Sequence, residues 1–212
     1  MAEPTTKKRI AVFVSGGGTN LQCLIDAQAD GTLRSGEIAL VISSKPGVYA
    51  LERAARAGLP TLTFPRKGMT LPEFEANISA ALEAAGIDIL VTAGFLTIFS
   101  ADFVSRWPRR ILNIHPALLP AFGGKGYYGL RLHRAVLERG VKVTGATVHF
   151  VNEICDGGEI LLQKAVDVLP GDTPETLQRR VMEQAEWILL PRAVELVCAD
   201  LAADPKPPVI EG

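Results

Sequence analysis

From Arg9 onward the chain alternates between short apolar runs rich in β-branched residues and stretches of helical periodicity. This alternation restricts the fold more than any other feature. Arg9 to Val14 reads as a strand, Leu21 to Ala29 as a helix, Glu37 to Ser43 as a strand, and Tyr49 to Ala57 as a helix ended by Gly58. Thr61 to Phe64 reads as a short strand. Pro72 to Ala85 reads as a helix, with Pro in its first turn and Gly86 just past its end. Ile87 to Ala93 is apolar enough for a strand buried on both faces. Ser100 to Trp107 reads as a short helix capped by Ser100, and Ile111 to His115 as a further strand. Such an order predicts an α/β fold with a doubly wound, mostly parallel sheet. The pattern then changes. Arg131 to Arg139 reads as helix, Thr144 to Val151 and Glu159 to Val168 as an antiparallel pair, and Thr173 to Leu201 as a long C-terminal helix kinked or interrupted at Pro191. One domain is expected over 9–204, with residues 1–8 a disordered leader and 205–212 a Pro-rich C-terminal tail.

The charge balance, 22 Lys and Arg against 23 Asp and Glu, argues against a broad electrostatic grip on nucleic acid or an anionic membrane. No apolar run reaches the roughly 18 residues a bilayer span needs. Met1 to Arg9 is too polar for a signal peptide. Cys23, Cys155 and Cys198 are an odd number at wide spacing, which suits neither a disulfide framework nor a zinc site. His115, His133 and His149 are too dispersed for a metal site, so no metal is expected. The expectation is a soluble cytoplasmic enzyme or small-molecule binder, monomer or homodimer, with no nucleic-acid or membrane partner.

Between the first strand and first helix stands Ser15-Gly16-Gly17-Gly18-Thr19-Asn20. Three glycines let the backbone approach a ligand, and Thr19 and Asn20 can cap the helix. The free N–H groups of its first turn then make an anion site, most simply for a phosphate. The bland alternative is a tight turn with no ligand. A dinucleotide fingerprint fails, because counting from Gly16 puts Leu21 at the third glycine, and no acidic residue ends the second strand. No Lys-bearing phosphate loop is present either.

Asn113 and His115 are two apart on one strand and therefore share a face. His115 is either structural or a general acid–base, and an adjacent Asn can donate to a developing oxyanion. Asp156, in Cys155-Asp156-Gly157-Gly158, is either an ordinary turn aspartate or a carboxylate that orients His115 and favours its charged form. His149 is expected to pack in its strand or hydrogen-bond beneath the site, and His133 to be a surface or supporting residue.

Taken together these segments resemble the phosphoribosylglycinamide formyltransferase family. Ser15-Gly16-Gly17-Gly18-Thr19-Asn20-Leu21-Gln22 is similar to its opening motif, and Asn113-Ile114-His115-Pro116-Ala117-Leu118-Leu119-Pro120 to its catalytic segment. Gly145 to Val151, Asp156-Gly157-Gly158 and Ile160-Leu161-Leu162-Gln163 are similar to its third block. The resemblance spans Arg9 to Val197 and implies a Rossmann-like formyltransferase fold. It further implies formyl transfer from 10-formyltetrahydrofolate, as cosubstrate, to the amine of glycinamide ribonucleotide in purine biosynthesis. The family's catalytic Asn, His and Asp fall on Asn113, His115 and Asp156. Its ribonucleotide phosphate and ribose contacts fall on Gly17, Gly18, Thr19, Asn20 and Glu186. Its folate-binding segments fall on Arg66, on Phe95, Leu96, Thr97, Ile98 and Phe99, and on Val151, Asn152, Glu153 and Cys155.

The sequence also departs from the family. Thr97 stands where many members carry Arg, Trp187 where many carry His, and Ala117 where Ser is common. Arg180 to Glu186 is one residue longer than in some members. Relatives with other activities fit less well. A formyltetrahydrofolate deformylase usually carries an additional N-terminal domain, and a methionyl-tRNA formyltransferase a C-terminal RNA-binding domain. A non-catalytic nucleotide-binding module would have no use for Asn113, His115 and Asp156 together.

Overall fold

The computed structural model describes residues 7–203. Its centre is a seven-stranded sheet in the order β3-β2-β1-β4-β5-β6-β7. The strands are β1 (Lys8–Val14), β2 (Gly36–Ser43), β3 (Thr61–Thr63), β4 (Ile89–Thr92), β5 (Ile111–His115), β6 (Val143–Phe150) and β7 (Ile160–Asp167). β1 to β5 pair in parallel, β6 runs antiparallel to β5, and β7 antiparallel to β6. The helices are α1 (Thr19–Ala29), α2 (Tyr49–Arg56), α3 (Leu71–Ala84), α4 (Ala101–Ser105), α5 (Gly129–Arg139), α6 (Pro174–Val181) and α7 (Trp187–Ala203).

Alternate side chains of β1 explain why its sequence is apolar throughout. Ile10, Val12 and Val14 enter one core with Leu24, Val136 and Val194 of α1, α5 and α7. Ala11 and Phe13 enter a second core on the other face, with Phe74 and Ile78 of α3 and Phe103 of α4. The period of two along a strand thus feeds two layers of helix. Thr70 caps α3 by accepting the N–H of Glu73, whose carboxylate in turn accepts the Thr70 N–H. Ser100 caps α4 as its sequence predicts.

Two sequence expectations need correction. Lys8 belongs to β1 and not to a leader; residues 1–6 and the C-terminal tail lie outside the described residues. The long C-terminal helix is interrupted, but not at Pro191, which lies inside α7. The break is a π-turn over Met182–Glu186, where the N–H of Trp187 reaches the Met182 carbonyl, five residues back. An i→i+5 turn takes up one residue more than an α-turn, so α6 and α7 both keep their apolar faces on the sheet.

Candidate active site

The switch from parallel to antiparallel pairing at β5 and β6 builds the site. In that ladder Asn113 stands opposite His149 and His115 opposite Thr147, so all four side chains share one face. The turn after β6 brings Asp156 onto the same face. Its Oδ2 lies 3.6 Å from His115 Nδ1, and its Oδ1 lies 3.7 Å from His149 Nε2. Asp156 holds a left-handed φ of 55°, and a Cβ at Gly158 would collide with the Phe150 carbonyl. The two glycines after Asp156 therefore let the turn fold back closely against β6.

Hydrogen bonds fix each polar group. Asn113 Oδ1 lies 2.7 Å from the Thr92 hydroxyl, which orients the amide so that Nδ2 faces His149 Nε2 at 3.1 Å and Asp156 Oδ1 at 3.4 Å. His149 Nδ1 donates to the Phe150 carbonyl at 2.8 Å, leaving Nε2 free to accept from Asn113. His115 Nε2 donates to the Phe122 carbonyl at 2.8 Å, and the Gly124 N–H donates to Asp156 Oδ2 at 2.8 Å. The segment 122–124 thus touches both His115 and Asp156.

Burial decides the charge of this cluster. His115 is 4% exposed, and burial lowers its pKa. Asp156 and the Phe122 carbonyl push it back up without restoring the ordinary value. Asp156 thus acts to favour the charged form of His115, and desolvation, the larger effect, acts against it. For Asp156 burial pushes the pKa up, but His149, His115 and the Gly124 N–H together bring it below the ordinary range. His133 is not a surface residue, since it is 1% exposed and burial pushes its pKa down to about 4.

A second group of predicted residues gathers at the glycine turn. Gly18 is the N-cap of α1 at φ 74°, and no side chain caps the helix. The expected capping by Thr19 and Asn20 is absent, because both lie inside the first turn. Asn20 instead turns into the protein and donates through Nδ2 to Glu186 Oε2 at 2.7 Å. Glu186 is 6% exposed, and burial raises its carboxyl to about 7 despite that bond. The π-turn thus delivers Glu186 to the first turn of α1.

The folate-type residues border the second core. Phe95 and Phe99 stack within an aromatic cluster with Phe13, Phe74 and Phe103. Arg66 lies over the Phe74 ring at 5.3 Å, and Val151 packs against the same core. Leu96, Ile98 and Ile154 leave their side chains exposed, and Thr97 is half-buried. Asn152 shapes the turn that carries Glu153 and Cys155, accepting the Ile154 N–H and donating to the Gly157 carbonyl. The Ser15 hydroxyl joins this region to the glycine turn: it lies 2.8 Å from the Ser44 hydroxyl and accepts the Leu96 N–H at 3.3 Å. A cavity of about 500 Å³ opens beside Thr19 but runs between α1 and α7, along Gln22, Asp26, Trp187 and Pro191, away from His115.

Sequence reasoning missed Thr92, the Phe122 carbonyl and the Gly124 N–H. The last two are backbone groups with no residue signature. The period-two spacing of Thr147 and His149 was the available signal that His149 faces the site.

The formyl transferase family model matches residues 8–194, and the chain belongs to that family. Within it, the chain is 41% identical over 196 residues to the chloroplastic phosphoribosylglycinamide formyltransferase of Arabidopsis thaliana, which covers 92% of this chain and 66% of that protein. It is 46% identical over 194 residues to the trifunctional purine biosynthetic protein adenosine-3 of Homo sapiens, covering 91% of this chain and 18% of that one. The chain therefore spans less than two thirds of these relatives. The structure is similar to glycinamide ribonucleotide transformylase 1 from Symbiobacterium toebii, with a TM-score of 0.85 and 42% identity over 92% of this chain and 89% of that one. It is likewise similar to the phosphoribosylglycinamide formyltransferase from Brucella melitensis, with a TM-score of 0.83 and 40% identity over 92% and 97% of the two chains.

Proposed function

We propose that this protein transfers the formyl group of 10-formyltetrahydrofolate to the amine of glycinamide ribonucleotide, giving the N-formyl ribonucleotide and tetrahydrofolate. The observation that carries this reading is the Asn113–His115–Asp156 cluster, a buried His between two half-buried partners, held by β5, β6 and the turn after β6, on a chain of the formyl transferase family. The ribonucleotide phosphate binds at Gly17, Gly18, Thr19 and Asn20, where uncapped helical N–H groups favour an anion. Glu186 takes the ribose. The pterin lies against Phe95 to Phe99 and Val151 to Cys155, an apolar border with backbone donors and acceptors that suits a flat heterocycle; Arg66 flanks it.

The amine nitrogen attacks the formyl carbon, and the carbonyl oxygen becomes an oxyanion. Asn113 Nδ2–H and His115 Nε2–H donate to that oxygen, the kind of stabilisation that is often the largest catalytic contribution. For Nε2 to reach it, His115 exchanges its bond to the Phe122 carbonyl for the substrate. Asp156, 3.6 Å from His115 Nδ1, favours the charged form of the ring that holds the oxyanion, while the now positive amine nitrogen gives up a proton and N10 takes one up. The C–N10 bond then breaks, and N10 leaves carrying that proton.

Purified protein should release tetrahydrofolate from 10-formyltetrahydrofolate only when glycinamide ribonucleotide is added. Release at the same rate without the amine would make the protein a hydrolase and overturn the reading.

A further inference from the structure

The glycine turn does not stand alone: α2 grips it from behind. The Ala50 N–H donates to the Gly16 carbonyl at 3.1 Å, and Arg53 Nε donates to the Gly17 carbonyl at 2.9 Å. Ala50 and Arg53 are three apart on α2 and so lie on one face of that helix. Both peptides are trans, so each amide N–H points opposite to the carbonyl it follows. With both carbonyls drawn towards α2, the N–H groups of Gly17 and Gly18 point away from it. Together with the uncapped first turn of α1 they form a concavity of successive N–H groups, an arrangement that binds anions. Contact is close: a Cβ on Gly18 would lie 2.6 Å from the Ala50 Cβ and 3.4 Å from Arg53 Cδ.

The guanidinium is itself held in place. Its NH1 donates to Gln22 Oε1 at 2.9 Å, and its carbon lies 4.8 Å over the Tyr49 ring. Among the described residues Arg53 makes no ion pair, so its strongest acceptors are a backbone carbonyl and a side-chain amide. A peptide flanked by two glycines has little intrinsic preference for this orientation. Without the arginine the Gly17–Gly18 peptide is free to rotate, and the concavity loses a donor.

We infer that Arg53 is a positioning residue for the ribonucleotide phosphate: it acts through the Gly17 carbonyl, fixing the Gly18 N–H towards the anion. The inference rests on the phosphate lying at the glycine turn, and the test separates the two. First, glycinamide ribonucleotide is titrated into wild-type protein while backbone amides are followed by NMR. Shifts at Gly17, Gly18, Thr19 and Asn20 are expected. If these amides stay still, the phosphate assignment itself fails.

Second, Arg53→Met, which keeps an unbranched stem over Tyr49, is compared with wild type. Ribonucleotide affinity should fall about ten- to a hundredfold, the range for a charged hydrogen bond. Affinity for a folate analogue should be unchanged, and kcat at saturating ribonucleotide should stay within about threefold. In the ligand-free variant the Gly17 and Gly18 amides should broaden. The affinity ratio should persist between about 50 mM and 500 mM salt, because lost geometry is not screened whereas a lost surface charge is. If the wild-type amides shift but Arg53→Met binds the ribonucleotide normally, or if the ratio collapses in high salt, the positioning role is wrong.

Discussion

Glu186→Gln should make the protein more stable and a poorer ribonucleotide binder. Glu186 is almost fully buried, and among the described residues its one hydrogen-bond donor is neutral, the amide of Asn20. Burial raises its pKa from an ordinary 4.5 to about 7. At about 1.4 kcal/mol per tenfold change in proton affinity, that gap corresponds to about 3 kcal/mol. The sign follows from proton counting. Between about pH 4.5 and 7 the folded protein holds a proton on Glu186 that the unfolded chain has released, so stability falls as pH rises through this window. Above about pH 7 the full penalty of the buried carboxylate is in place. Glutamine has nearly the same shape and never ionises. Its carbonyl can accept from Asn20 Nδ2, and its own N–H offers a donor to Asn20 Oδ1, which is buried with no partner among the described residues. Urea unfolding of wild type and Glu186→Gln at pH 5, 6, 7 and 8 isolates this group, since all other titrations cancel in the difference. The variant should gain little at pH 5 and about 3 kcal/mol at pH 8, while its affinity for glycinamide ribonucleotide falls at least tenfold. A stability difference that does not change with pH would refute the argument, as would a variant less stable than wild type at pH 8.

Three further outcomes are expected. Asp156→Asn should cut turnover about a hundredfold or more, the usual contribution of a group that supports acid–base chemistry, with ribonucleotide affinity nearly unchanged; near wild-type turnover with an unaltered pH profile would return Asp156 to an ordinary turn residue. Gly18→Ala should abolish ribonucleotide binding and spare folate-analogue binding, because the new methyl meets Ala50 at a position already held at φ 74°; calorimetry with each ligand decides it. Thr92→Val removes the hydroxyl that orients the Asn113 amide, and kcat should fall about tenfold, the order of one hydrogen bond, with both KM values little changed; a loss confined to KM would contradict that orienting role.

Much of the sheet was legible because strand and helix periods differ and glycine marks the ends. Gly58 and Gly86 follow their helices at positive φ as the pattern predicts. The pairing of Asn113 with His149 was not legible, because it depends on the register of two strands 36 residues apart. The balance at His115 was hidden for a similar reason. Its nearby carboxylate could be guessed from a motif, but the depth of burial that outweighs it is a property of the whole fold. The break at Met182–Glu186 was misplaced at Pro191 because proline is the familiar helix breaker, whereas a π-turn carries no residue signature.

That π-turn gives the chain slack in length at one place where the sheet has none. Removing one residue from Glu183–Ala185 would tighten the wide turn into an ordinary helical one, and α7 would still present the same side to β1 and α1. The same deletion in β6 would turn His149 to the opposite face and carry Thr147 with it, dismantling the cluster around Asn113 while most of the backbone still paired. One half of the site is therefore tolerant of a change in length and the other is fixed to the residue.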